Sequence, residues 1–216
     1  MLELKKKRNL NIFLILVILT IILTLISNKF LNFQELTYSF YAEQLSQKQI
    51  EKLLKNQQNW NWVIYLIIPL LIFLRANLVA FCLSIGIFFY DLENKVKFNQ
   101  LLKITLIGEY IILSVGYFKF IFFYFIVRKF TLQEFQQFYP LSYTNLLSLE
   151  KIEPWLVYPL QTINLFEIGY FFVLVYGLHK LLKNKFLKSF EIVAVSYGTG
   201  LLIWIVAIMF LTLNIS

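Results

Sequence analysis

Among the polar residues inside long apolar stretches of the sequence, five are the strongest candidates for ionic or hydrogen-bond chemistry. They are Arg75, Glu109, Lys119, Asn164 and Glu167. An ionisable side chain within a bilayer costs about 2.5–3.5 kcal/mol on insertion scales, so it needs a partner or water. These residues are therefore the candidate positions for an intramembrane polar site.

Arg75 and Glu167 have opposite charges and similar depths. Arg75 lies 13 residues after Trp62, about 20 Å along a helix, and Glu167 lies 12 residues after Trp155, about 18 Å along a helix with the same direction. Their spacing predicts a salt bridge between the second and fourth membrane spans. Asn164 lies one turn before Glu167 and can add hydrogen bonds. Such a pair is either a structural salt bridge or part of a transport or proton path.

The other two charged residues have different expected positions. Glu109 is expected near the end of the third span that faces the cytoplasm, and Lys119 deeper, toward the outer half. The search for catalytic motifs is negative, with no zinc-protease, serine-hydrolase or phosphate-loop pattern. The only histidine, His179, is expected at an interface, and the single cysteine, Cys82, allows no internal disulfide. We therefore expect no enzymatic activity, metal or cofactor.

The apolar stretches define the architecture that must position these residues. The chain has 216 residues, of which 59% are hydrophobic and 15% charged, whereas soluble domains have about 25% charged residues. A membrane helix needs about 20 apolar residues. Five stretches qualify, at residues 10–27, 62–90, 104–127, 155–182 and 190–213. The sequence predicts an all-α, polytopic integral membrane protein, a single domain (1–216) formed by a bundle of five transmembrane helices.

Two connectors carry helix-start signals. Ser46 with Gln49, and Thr131 with Glu134, have capping-box spacing and precede apolar residues at helical intervals. We expect each to begin a short amphipathic helix on the outer face. The stretch 62–90 is long for one span and short for two. We expect one tilted or Pro69-kinked helix there, with a broken or re-entrant span as the alternative.

Lysine and arginine are concentrated at the N-terminus and in alternate connectors. The basic groups precede the first span, precede the third, and separate the fourth from the fifth. The positive-inside rule then places the N-terminus in the cytoplasm and the C-terminus outside. The segment after Arg8 has a poor cleavage site and is expected to remain as a signal anchor. Abundant Ile, Lys, Phe and Asn are typical of AT-rich bacterial genomes, which favours a bacterial inner membrane.

The net charge of +8 is expected to meet anionic lipid headgroups at the cytoplasmic face rather than nucleic acid. The lipid bilayer is thus the expected partner, together with other membrane proteins or a second copy of this chain.

Three segments carry a resemblance to a known family. They are Phe98 to Leu102 (FNQLL), Pro159 to Glu167 (PLQTINLFE) and Tyr197 to Gly200 (YGTG). The region from Lys95 to Leu213 resembles the Yip family of Ypt/Rab-interacting membrane proteins. That resemblance implies five spans, a cytosolic N-terminus and a lumenal or external C-terminus. The chain lacks the Asp-Leu-Tyr-Gly-Pro motif and a long N-terminal tail.

Two functional hypotheses follow from these observations. The first is a non-enzymatic, Yip-like multi-pass protein that organises the membrane through protein and lipid contacts. The second is a small transporter or permease component that uses Arg75 and Glu167 at mid-membrane, in which case a homo-oligomer is expected because five helices leave little room for a substrate path.

Overall fold

The computed structural model describes residues 2–42, 44–147 and 152–215, and these residues form a helical bundle without strands. Among these residues, the one pairing of β type is an isolated bridge between Ser142 and Asn164. Within the described ranges, five helical segments are long and apolar enough to cross a membrane. The prediction of an all-α helical membrane bundle is confirmed.

The α-helices, numbered in chain order, have the following bounds. They are α1 (Leu2–Phe30), α2 (Phe33–Tyr41), α3 (Gln47–Phe89), α4 (Phe98–Ile121), α5 (Leu132–Gln137), α6 (Pro154–Thr162), α7 (Leu165–Leu182), α8 (Phe186–Val193) and α9 (Thr199–Ile215). Two π-helical turns, Phe122–Ile126 and Ala194–Gly198, extend α4 and join α8 to α9. Short 3₁₀ turns lie at Glu93–Lys95 and Tyr143–Leu146.

Contacts between helix ends show that the spans alternate in direction. At the end of the bundle where α1 begins, Asn9 Nδ2 donates to the Asn99 carbonyl oxygen over 2.8 Å. Tyr90 donates to Glu191 at the same end over 2.9 Å. We call this end the N-terminal face. The basic connectors lie at this face, because one joins the end of α3 to the start of α4 and the other joins the end of α7 to the start of α8.

The interface between α4 and α7 forms the centre of the bundle. Three glycines let the two backbones approach: Gly108 faces the Tyr170 ring, Gly177 faces Ile104 and Gly169 faces Ile111. A Cβ at Gly177 would lie 2.5 Å from Ile104 Cγ2. Small residues at such contacts are typical of membrane helix packing, since close approach maximises van der Waals contact.

One expected short helix is wrong in its extent. The capping box at Ser46 and Gln49 is present, but the helix that it begins does not end before the membrane. It continues as α3 for 43 residues, about 65 Å, past Pro69 to Phe89. The reason is that no glycine or proline occurs between Ser46 and Pro69, so nothing interrupts the helix. The stretch 62–90 is therefore one helix, as expected, but only part of it.

The far end of the bundle is covered by two short helices. In the first connector, α2 forms where no helix was predicted; in the second, α5 begins at the predicted Thr131 cap, whose hydroxyl accepts from Glu134 N over 3.1 Å. The rings of Phe33 on α2 and Phe135 on α5 pack edge to face, with centroids 4.9 Å apart. Because α2 follows α1 and α5 follows α4 in the chain, this contact holds the outer ends of α1 and α4 together.

The fourth span, predicted as one helix over 155–182, is broken. The chain leaves helical geometry at Ile163, and Asn164 caps the start of α7. The backbone of the preceding connector fills the gap, because Tyr143 N donates to the Ile163 carbonyl oxygen over 3.0 Å and Leu165 N donates to the Leu141 carbonyl oxygen over 3.2 Å. Backbone groups freed at the break are thereby satisfied within the protein, as a membrane interior requires.

The fifth span also differs from its expected bounds of 190–213. It begins earlier, at Phe186, and runs through the π-helical turn Ala194–Gly198 to the end of α9. Close contact with α3 occurs at this turn: a Cβ at Gly86 would lie 2.5 Å from Ser196 Cβ. The π-turn therefore lies at a close contact between the second and fifth spans.

Candidate functional site: an ion cluster between four helical segments

Arg75 on α3 forms ion pairs with two carboxylates on two other helices. Its Nε lies 3.5 Å from Glu109 Oε1 on α4, and its second terminal nitrogen, Nη2, lies 3.8 Å from Glu167 Oε2 on α7. The expected contact between Arg75 and Glu167 is present, and Glu109, expected near the membrane surface, joins it. We call Arg75, Glu109 and Glu167 the ion cluster.

The ion cluster lies deep between the two faces. Measured along the helices at 1.5 Å per residue from the N-terminal face, Arg75 is about 21 Å from Phe89, Glu109 about 17 Å from Phe98 and Glu167 about 23 Å from Leu182. Glu109 is not interfacial because α4 begins at Phe98, six residues before the predicted start of the span. The carboxylates are mostly enclosed, with exposed side-chain fractions of 6% for Glu109 and 14% for Glu167, against 38% for Arg75.

Two tyrosines that the sequence analysis did not single out complete the hydrogen bonding. The Tyr170 hydroxyl donates to Glu109 Oε1 over 3.3 Å, and the Tyr197 hydroxyl donates to Glu167 Oε1. The Arg75 guanidinium also lies over the Tyr170 ring, 5.3 Å from its centroid, in a cation–π arrangement. Tyr170 was detectable from sequence, since it follows Glu167 by three residues and so shares its helix face. Tyr197 had no local signal.

Asn164 acts on the backbone rather than on the charges. Its Oδ1 accepts from the backbone nitrogen of Glu167 over 2.8 Å, and its Nδ2 donates to the carbonyl oxygens of Gln161 and Thr162. It thus caps α7 and fixes the break before it. Glu167 consequently lies in the first turn of a helix, where a negative charge is favoured by the helix dipole.

Lys119 is not part of the ion cluster. Its ammonium lies over the ring of Phe135 on α5, 4.3 Å from the centroid. It holds the covering helix α5 to the outer part of α4 through a cation–π contact. Of the five candidate residues, the structure therefore brings four together and places Lys119 at the far end.

The second connector packs against the break that precedes α7. Ser142 and Thr144 are buried there, and the Ser142 hydroxyl lies 3.2 Å from the Leu160 carbonyl oxygen. Tyr139, just before this turn, lies within electrostatic range of Arg75 and Glu167, and burial raises the pKa of its hydroxyl. Tyr139 is therefore neutral and adds no charge to the cluster.

No group of three metal-ligating side chains is found within the described ranges. Comparison with known proteins gives no match to a family model, to a curated protein or to a solved structure. The function is therefore inferred from the ion cluster itself. It consists of one arginine and two acidic side chains from three helices, hydrogen-bonded by two tyrosines, beside a broken fourth span.

Proposed function

We propose that this protein is a small transporter or a component of a permease, with the ion cluster as its mid-membrane polar site. The observation that carries the proposal is the meeting of Arg75, Glu109 and Glu167 beside the break before α7. Discontinuous helices with polar groups near the bilayer midplane are where many transporters bind substrates and coupling ions.

The number of charged residues in the ion cluster favours a binding site over a salt bridge that only holds helices together. A salt bridge that joined two helices would need one cation and one anion, and any further charge would add to the cost of insertion. Here there are two carboxylates, and their helices, α4 and α7, already pack closely against each other at Gly108 and Gly177. The additional carboxylate is then explained by a role in binding.

The proposal includes an assembly and an orientation. Five helices leave little room for a substrate path inside one chain, so we propose a homo-oligomer or a complex with another membrane protein. We also propose a bacterial inner membrane, with the N-terminal face in the cytoplasm. The basic residues of that face support this orientation, because cytoplasmic loops carry an excess of lysine and arginine.

A second candidate function is Yip-like membrane organisation without transport. It is favoured by the position of two of the segments that carry the family resemblance. Glu167 ends one segment and Tyr197 begins another, and these two side chains are hydrogen-bonded to each other. In this alternative the same contacts hold the spans together, and the protein acts through lipids and other membrane proteins.

Uptake into proteoliposomes distinguishes the two functions. Labelled amino acids, dicarboxylates and polyamines are each offered to liposomes that contain the wild-type protein or the double variant Arg75→Met with Glu167→Leu. The transport proposal predicts accumulation of at least one class by the wild type and none by the double variant. Glu191→Gln, which removes a carboxylate at the N-terminal face, is the matched control and should retain uptake. Absence of uptake by the wild type, or full uptake by the double variant, would contradict the proposal.

A further inference from the structure

The charges of the ion cluster do not balance. One guanidinium faces two carboxylates, so the cluster with both carboxylates ionised has a net charge of −1. The groups that face Glu109 are Arg75 from α3, Glu167 and Tyr170 from α7, and Tyr197 from the π-turn. Of these, only Arg75 is a cation.

Among the residues that the structure describes, no second cation forms an ion pair with Glu109 or Glu167. The helix α1 packs against another side of α4, but its basic residues occur only near its two ends. Lys119 is engaged with Phe135 at the far end. An unpaired charge in the membrane interior is strongly unfavourable, and two carboxylates that share one site do not both ionise readily.

We propose that the ion cluster, with its two acidic side chains Glu109 and Glu167, binds one exchangeable proton, so that H⁺ is the coupling ion of the proposed transport site. This inference rests on the proposed function for its physiological role, but the proton count does not depend on it. One proton turns a carboxylate into a neutral carboxyl group and leaves a single ion pair with Arg75, which makes the cluster neutral.

The hydrogen-bond geometry favours a proton over a metal cation. Glu109 Oε1 already forms an ion pair with Arg75 Nε and accepts a hydrogen bond from the Tyr170 hydroxyl. One oxygen of Glu167 pairs with Arg75, and the other accepts a hydrogen bond from Tyr197. Hard metal cations are bound by several oxygen ligands at once. The adjacent guanidinium would also repel such a cation, whereas a proton needs a single lone pair.

Glu109 is the residue on which the proton resides. Glu167 lies in the first turn of α7, where the dipole and the free backbone N–H groups stabilise a carboxylate. Glu109 lies in the middle of α4, without such stabilisation, and is the more deeply enclosed of the two. When a hydronium ion delivers a proton, its O–H bond breaks as an O–H bond forms on Glu109, and Arg75 then pairs with Glu167 alone. When that bond breaks, the proton returns to water and Arg75 is shared again.

Infrared spectroscopy counts the protons directly, through the C=O stretch of a protonated carboxyl group that shifts in D₂O. The remaining acidic residues lie outside the apolar segments or at their ends, and any signal from them is common to the wild type and its variants. The proposal predicts one such band in the wild type and none in Glu109→Gln or Glu167→Gln, because the remaining carboxylate then balances Arg75. Arg75→Gln should double the band.

Aspartate substitutions test where the proton resides. Glu109→Asp should shift the band, since the protonated group itself changes, and Glu167→Asp should leave it in place. No band in the wild type, or an unchanged band in both Glu→Gln variants, would overturn the proposal that the ion cluster binds a proton. A shift in Glu167→Asp alone would overturn the assignment to Glu109. Gel filtration in mild detergent verifies that each variant is folded, and a correct proton count without any uptake would contradict the transport function alone.

Discussion

The ring of Tyr170 lies directly against the backbone of Gly108. A Cβ built at Gly108 would be 2.7 Å from Tyr170 Cε2 and 3.0 Å from Cδ2. The ring has no room to retreat, since Tyr170 is fully buried and packs against the ring of Tyr197. The absence of a side chain at position 108 is therefore a condition for the hydrogen bond between Tyr170 and Glu109.

Gly108→Ala is expected to destabilise the protein and to disturb the ion cluster. Overpacking of a buried contact typically costs about 1–3 kcal/mol, which exceeds the gain of about 1 kcal/mol from replacing a helical glycine by alanine. The matched control is Gly169→Ala at the same helix interface, where the added Cβ would lie 3.5 Å from Ile111 Cγ2, an ordinary contact. Thermal unfolding in detergent should show a lower midpoint for Gly108→Ala only; equal midpoints would refute the account of this contact.

The alternating directions of the spans can be tested by reporter fusions. Alkaline phosphatase fused after the C-terminus should be active, because the proposed orientation places that end outside the cytoplasm. Fusion at Asn99, which contacts Asn9 at the N-terminal face, should be inactive. An active fusion at Asn99 would reverse or refute the orientation.

Lys183→Gly is expected to stabilise the turn between α7 and α8. Lys183 has a φ of 52°, in the left-handed region, and its backbone nitrogen bonds the His179 carbonyl oxygen over 2.9 Å. A residue other than glycine in this conformation costs about 1–2 kcal/mol. Lys185→Gly is the control, since Lys185 has a φ of −66° and loses the same charge. The midpoint of thermal unfolding should rise for Lys183→Gly and not for Lys185→Gly; the reverse order would contradict the turn geometry.

The membrane spans were predictable because each is recognised from the hydropathy of about 20 residues together, which a local irregularity changes little. The ends of the helices were less predictable. The extension of α3 follows from the absence of helix breakers between Ser46 and Pro69. The residues before Trp62 are polar and those after it are apolar, so the two parts were assigned to separate elements. The break at Ile163 depends on the connector backbone at Leu141 and Tyr143, which is distant in sequence and has no apolar pattern.

The ion cluster was predictable in part. Opposite charge and equal depth brought Arg75 and Glu167 together correctly, since a buried charge needs a partner. Glu109 was assigned to the membrane surface because the start of α4 was placed too late. Tyr197 could not be linked to Glu167 from sequence, because the contact depends on how the fifth span packs, and a π-turn sets the direction of its side chains.

A double-mutant cycle tests most directly the claim that Arg75 and Glu167 interact within one ion cluster. Removing one partner of a buried ion pair costs about 3–5 kcal/mol in soluble proteins, whereas residues in contact couple by about 0.5–3 kcal/mol. Unfolding in detergent is measured for Arg75→Met, Glu167→Leu and both together, with Arg75→Met and Glu191→Gln as the distant control cycle. The Arg75–Glu167 double variant is expected to lose clearly less free energy of unfolding than the two single variants lose in sum, while the losses in the control cycle are additive. Additive losses in both cycles would contradict the claim.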